Sequence, residues 1–333
     1  MDFQLSDDQR ALRSGMRDLL GAVFGRDRLR AAVDRGGALD RALWRELGAA
    51  GFFALRLPEE AGGVGLGLPE AVLLFEEAGR ALLPGPLVAT HLAAGLVKGA
   101  AEGEAVVTAV DGDLPVAHLA EADAVLAGAG ALTGEALRAY AAAARPVRSM
   151  DPLTPLHRTP TAERTTAHSA HSERFRCEAA LLTAAEQLGS AARTTEAAVQ
   201  HAGEREQFGS PIGSFQAVKH LCADMLARTE PARAAVYAAA VTGNPVEIAA
   251  AKLLADEAAV RNARDCLQVH GGMGFTWEAD VHLHLKRAWQ RSACWLGGAA
   301  AEELLAADLG AAGPLPGSSA AYGRAGAEAG GGG

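Results

Sequence analysis

Apolar residues recur at helical spacing along most of the chain. Leu5, Leu12, Met16, Leu19 and Leu20 form a stripe near the start, and their three-to-four spacing predicts helix across residues 1–35. Ser6-Asp-Asp-Gln9 reads as a capping box for that helix. Trp44 and Leu47 share the inner face of a short helix over Arg41–Leu47, and another helix runs from about Pro69 to Leu82. In the second half, Glu178–Gly203 turns Leu181, Leu182, Ala185, Leu188, Ala192 and Val199 inward. Phe215, Val218, Cys222, Met225 and Leu226 continue the pattern in a helix with Ser214 as its cap. That helix reaches about Val241, where Thr242-Gly-Asn-Pro245 breaks it. Further helices are predicted over Val246–Val269, after Asp280 (with Leu283, Leu285 and Trp289) and over Glu302–Leu309.

The period changes near Ala100. Ala105–Val110 and Ala124–Leu126 are short runs with β-branched content, separated by turn-like Asp111-Gly112-Asp113 and the glycines at 128 and 130. Pro146, Pro152, Pro155 and Pro160 oppose helix in the second half of this stretch. The expected organisation is therefore a helical unit over 1–103, a small β-rich or irregular segment over 104–170 and a helical bundle over 171–312. Residues 313–333, rich in Gly, Ala and Ser, are expected to be a disordered tail.

Composition narrows the function classes. The 333 residues are 49% hydrophobic but only 5% aromatic, and the abundant alanine favours a mainly α protein. A formal net charge of −9 argues against a nucleic-acid partner, which needs a basic stripe. No apolar run is long enough for a bilayer, and the N-terminus lacks a secretory pattern, so the expected location is the cytoplasm. Cys177, Cys222, Cys266 and Cys294 lack metal-ligand spacing and read as reduced thiols. His282 and His284, two apart, point to different helix faces and so disfavour a shared metal. His157, His168 and His171 read as solvated. Glu204, Glu206, Glu302 and Glu303 read as exposed charges.

Three stretches carry candidate chemistry. Leu57-Pro-Glu-Glu-Ala-Gly-Gly-Val-Gly65 is glycine-rich but fails the dinucleotide template and reads first as a turn. Arg205-Glu-Gln-Phe-Gly-Ser-Pro-Ile-Gly-Ser-Phe-Gln216 joins two helices through a tight corner. A guanidinium beside exposed backbone N–H groups at such a corner suits a pyrophosphate, although a plain helical hairpin with a surface arginine also satisfies the pattern. Gln268-Val-His-Gly-Gly-Met-Gly-Phe-Thr-Trp-Glu278 puts adjacent glycines at a helix end. There they either cap the helix or admit a ligand's close approach.

The Arg205–Gln216 stretch resembles the acyl-CoA dehydrogenase signature Arg-x-x-Phe-Gly-x-x-Ile-x-x-Phe-Gln. Gln268-x-x-Gly-Gly-x-Gly-Phe275 resembles the family's second glycine motif. Asp2-Phe-x-Leu-Ser-x-x-Gln9, Pro58-Glu-Glu-x-Gly-Gly-x-Gly65, Glu76-Glu-x-Gly-Arg80 and Pro84-Gly-Pro86 resemble its N-terminal helical domain, in order. The resemblance implies a mainly α fold with a reduced β middle segment and a C-terminal four-helix bundle. It also implies FAD as cofactor, α,β-dehydrogenation of an acyl thioester, an oligomer, and an electron-accepting flavoprotein as a further partner. The implied FAD contacts are Arg205, Gln207, Phe208, Ile212, Phe215, Gln216, Gln268, Gly271 and Gly272, made across a subunit contact.

Two departures stand out. The family's catalytic glutamate lies twenty-six residues before the motif arginine or twenty-seven after the motif glutamine, which here are Ala179 and Trp295. Glu178 adjoins the first position but is turned about 100° away on a helix. The middle segment also lacks the Trp-x-Ser/Thr strand that meets the flavin ring. Both departures resemble the shorter partner of heteromeric actinobacterial members, which leaves the base to a homologous chain. A flavin monooxygenase or non-redox lyase on the same fold, and a non-catalytic partner subunit, stay open as alternatives.

Overall fold

The computed structural model describes residues 4–128, 130–159 and 172–311. The expected tail, together with Pro160, His168 and His171, lies outside the described residues. In the first part the helices are α1 (Asp7–Val23), α2 (Arg26–Asp34), α3 (Arg41–Ala49), α4 (Leu68–Arg80) and α5 (Leu87–Ala93). The helical stretch read over 1–35 consists of two helices, parted at Phe24–Gly25. Ser6 and Gln9 form the capping box as expected. The aromatic core gathers Trp44, Phe52, Phe53 and Phe75, with Trp44 and Phe53 centroids 4.7 Å apart.

In the middle, β1 (Val107–Ala109) pairs in parallel with β3 (Ala124–Ala127), which pairs antiparallel with β4 (Gly130–Leu132). A second small sheet orders β2 (Val116–Ala117), β6 (Leu156–Arg158) and β5 (Arg145–Val147). The span also holds a helix, α6 (Gly134–Ala143), that the β-rich reading missed. Its alanines favour helix, and Leu137 and Tyr140, three apart, pack on Val110, Val116, Leu119 and Val125. His157, read as solvated, is half-buried with an enclosed, unbonded Nδ1.

The last part is α7 (Glu173–Glu204), a hairpin of β7 (Glu206–Gln207) and β8 (Ser210–Pro211), then α8 (Gln216–Thr242), α9 (Pro245–His270), α10 (Val281–Ser292) and α11 (Gly298–Ala311). Helices α7, α8 and α9 pack on one another, and α10 packs on α7 and α9. Val199 and Leu226, read as inward-facing, are 53% exposed each. The buried stripe of α7 instead follows Ala191, Thr194, Ala198 and Ala202, which leaves Val199 beside it. Ser214 does not cap α8: Phe215 is the cap residue, and the Ser214 hydroxyl lies 3.2 Å from that of Ser210. Among the described residues no helix is long and apolar enough to cross a membrane, and no His/Cys/Asp/Glu cluster could hold a metal.

One hydrophobic core joins α1–α4 to α7–α9. It depends on a backbone-to-backbone crossing of α4 and α7. A Cβ at Gly79 would lie 2.0 Å from the Glu186 carbonyl oxygen, and one at Gly189 would lie 1.8 Å from that of Glu76. Gly189→Ala is therefore expected to push the helices apart and cost about 3 kcal/mol, the upper end for an overpacked core. Gly15→Ala, in open space on α1, is expected to gain about 0.5–1 kcal/mol. Urea denaturation of both variants checks the pair.

Candidate functional site

The two motifs meet at one end of the bundle. Arg205 caps α7, and its carbonyl accepts from the Ile212 N–H at 2.7 Å, closing the hairpin. His201 in the last turn of α7 stacks on His270 at the end of α9, with centroids 4.1 Å apart and planes at 16°. Gly271, one residue on, caps α9 with φ +59°. The ends of α7 and α9 therefore bring the Arg205 corner and the glycine turn side by side.

Every polar candidate at this corner faces outward. Arg205, Gln207, Gln216 and Gln268 are exposed, and the Arg205 guanidinium has no ion-pair partner among the described residues. Gln207 Nε2 donates to the Glu206 carbonyl at 2.6 Å. Ile212 is half-buried against Ala198, Ala202 and Met225, and so anchors the hairpin. Phe208 is 94% exposed at φ +54°, a region that costs a non-glycine residue free energy. Phe215 lies beside it at 6.2 Å, and Met273, Phe275 and Trp277 add exposed apolar surface from the glycine turn. A Cβ at Gly271 or Gly272 would meet open space, whereas one at Gly274 would lie 2.8 Å from the Leu267 carbonyl oxygen. The first two glycines leave room for an approaching molecule; the third packs the turn onto α9.

A second feature lies where the three parts of the chain meet. A chamber of about 120 Å³ is lined by Pro86, Thr108, Thr183, Glu186, Arg291 and Trp295, among others. Ala179 is fully buried one helical turn before Thr183, and Trp295 holds φ +64° with its N–H donating to Asp111. No carboxylate occupies either position. Glu178 is bound by Arg56 at 2.8 Å and Arg174 at 2.9 Å. Burial raises its pKa, but the two guanidinium groups outweigh that and hold it below the ordinary carboxylate value. Glu178 is therefore an ion-pair member, not a poised base.

Sequence reasoning missed the charges buried around this chamber. Asp151 pairs with Arg287, Glu186 with Arg291 and Lys252 with Asp256, all enclosed. Burial pushes the Glu186 carboxyl up, while Arg291 and Arg287 pull it back only partly. Burial likewise works against ionised Asp151, yet Arg287 and hydrogen bonds from Thr154 and Leu153 keep it below the ordinary value. The available signal was Glu186-Gln187 inside an alanine–leucine run, since a helix that stays apolar around its circumference is enclosed on every side.

As a test of fit, the outer corner suits a dinucleotide's diphosphate: an unpaired guanidinium stands beside two glycines with open space. The chamber does not suit a flavin ring. Its volume, about 120 Å³, is below the ~300 Å³ at which small-molecule pockets begin, and Glu186, Arg287 and Arg291 stand among its otherwise mostly apolar walls.

Residues 6–102 match the family model described as acyl-CoA dehydrogenase, N-terminal domain, and residues 173–303 match acyl-CoA dehydrogenase, C-terminal domain. The chain is 37% identical over 294 residues to acyl-CoA dehydrogenase IpdE2 of Mycobacterium tuberculosis, covering 85% of this chain and 91% of that one. Among solved structures it resembles the ChsE4-ChsE5 complex from Mycobacterium tuberculosis, with TM-score 0.77 and 24% identity over 93% of this chain and 99% of that one. It also resembles butyryl-CoA dehydrogenase from Megasphaera elsdenii, with TM-score 0.74 and 18% identity over 93% and 100%. At those identities the structural likeness concerns the fold.

The glycine contacts separate tolerant from intolerant positions in the turn. Gly274→Ala is expected to cost about 1–3 kcal/mol through overpacking, with faster amide exchange across 271–275. Gly272→Ala is expected to leave both stability and exchange nearly unchanged. Exchange measured by mass spectrometry on the two variants checks this.

Proposed function

The chain belongs to the acyl-CoA dehydrogenase family, and on that premise we propose that it is the subunit of an FAD-dependent heteromer that lacks the catalytic base. The observation that carries the reading is a division of labour between two places. Groups suited to a diphosphate stand exposed at the outer corner, while the inner chamber has about 120 Å³ and neither family position carries a carboxylate. A homologous partner then holds the flavin ring, the acyl thioester and the base.

When bound, FAD supplies the hydride acceptor for α,β-dehydrogenation of the acyl group. Arg205, Gln207 and Gln216 would hold the diphosphate and adenosine part of FAD, and Gln268 with Gly271 and Gly272 would meet the diphosphate, the two glycines leaving room for it beside the backbone. Phe208, Phe215 and Ile212 shape the hairpin against cofactor and partner; large exposed aromatics are the usual anchors of such contacts. An external flavoprotein serves as electron acceptor. The Mycobacterium tuberculosis complex named above, itself a pairing of two chains, supports a heteromer.

Visible absorbance tests the reading. The chain purified alone is expected to lack flavin bands; co-purified with its homologue it is expected to show them and to bleach anaerobically on adding an acyl-CoA. Flavin and NADH-dependent oxygen uptake by the chain alone would instead mark a monooxygenase. Absence of flavin from both preparations would remove the redox assignment.

Arg205→Ala is expected to weaken FAD retention without loss of fold. A charge-assisted contact contributes about 1.5–3 kcal/mol, roughly ten- to a hundred-fold in affinity. Unchanged retention would take Arg205 out of the site.

A further inference from the structure

We propose that the stacked His201–His270 pair captures a proton when a diphosphate settles at the adjoining corner, and so belongs to that site. The inference rests on the reading of Arg205 and Gln268–Gly272 given above. The geometry is specific: His201 lies four residues before Arg205 and His270 one before Gly271, and their rings are parallel at 4.1 Å. A groove of about 490 Å³ opens beside both. His270 Nδ1 lies 2.8 Å from the Cys266 carbonyl oxygen, a contact only a ring N–H can make, which holds the ring in place at the end of α9. At this separation His270 works against a positive charge on His201.

Charged groups stand on the elements around the pair. Arg26 of α2 is bound to Asp280 at 2.6 Å, and Arg80 of α4 to Glu196 at 2.6 Å. Arg193 lies 4.0 Å from that same Glu196. His284 of α10 accepts or donates at 2.8 Å with Ser190 and is pushed down to about 3 by burial, so it stays neutral. Burial pushes the Cys266 thiol up to about 12, so it too is neutral. Glu278 is an exposed carboxylate, and Glu204 a second at the end of α7. Arg205 has no ion-pair partner among the described residues.

Burial holds His201 below its ordinary value, with His270 and then Arg205 adding to the effect and Glu204 opposing it. A bound diphosphate neutralises Arg205 and adds its own negative field, and both changes favour the protonated ring. The bound-state pKa therefore lies above the free one. Affinity is then strongest at low pH and falls as pH rises from the free His201 value, which is held below its ordinary one, to the bound value. Above that it is flat.

The test is a calorimetric titration of FAD into the flavin-stripped assembly in which the chain purifies, in two buffers of different ionisation enthalpy. The expected result is uptake of up to about one proton between the free and bound His201 values, with Kd rising up to about tenfold per pH unit across that window. His201→Phe, which keeps a stacked ring without a titratable nitrogen, and His270→Gln should each abolish the uptake and flatten the pH profile. FAD binding without proton uptake, or with uptake unchanged in both variants, overturns the inference and leaves the diphosphate reading standing. No FAD binding by the wild-type assembly sinks that reading instead.

Discussion

The contact on which the architecture rests is the crossing of α4 and α7 at Gly79 and Gly189, where backbone meets backbone. Such an approach buries the carbonyls of neighbouring turns and draws two adjacent glutamates into the interior. Glu77 is satisfied by Arg17 of α1 at 2.8 and 2.6 Å, and Glu76 by Arg233 and by Tyr237 at 2.6 Å, both from α8. Buried pairs of this kind add little net stability, but losing one partner costs several kcal/mol, so they define which helices meet and in what register. The crossing thereby ties the first helices to the bundle and sets the course of α7, whose far end carries Arg205.

From that frame the bundle acquires two unlike regions. Around the junction with the middle segment, Glu186, Arg287, Arg291 and Trp295 line a small chamber, and the two guanidinium groups pair with Asp151 and Glu186. At the outer end of α7 and α9 the opposite holds: a guanidinium without an ion-pair partner among the described residues, two open glycines and a group of exposed aromatic rings lie together. A single chain gains nothing from Phe208 held at positive φ and almost wholly in solvent. Repayment of that cost by a second surface is the simplest physical account.

Much of the frame was legible in sequence because it is written in local signals. The Ser6–Gln9 box, the Asn244-Pro245 start of α9 and the long apolar periods each specify a boundary through nearby hydrogen bonds. The parallel pairing of Val107–Ala109 with Ala124–Ala127 fell on the two runs with β-branched content. Helix α6 was obscured by the prolines that follow it, and the break at Phe24–Gly25 by an apolar pattern that continues across it. The buried charge pairs were illegible for a different reason. Asp151 and Arg287, or Glu186 and Arg291, lie more than a hundred residues apart in sequence, and only the packed structure brings each to its partner. Glu178 shows the converse: adjacency to a family position suggested chemistry, yet Arg56 and Arg174 claim its carboxylate.

The most direct test of the central claim is hydrogen–deuterium exchange on the purified assembly with flavin bound and after its removal. On the proposed reading, peptides covering 205–216 and 268–275 lose protection together when flavin leaves, since both corners would hold the same diphosphate. If neither peptide responds while flavin binds elsewhere, convergence of the two corners on the cofactor is wrong.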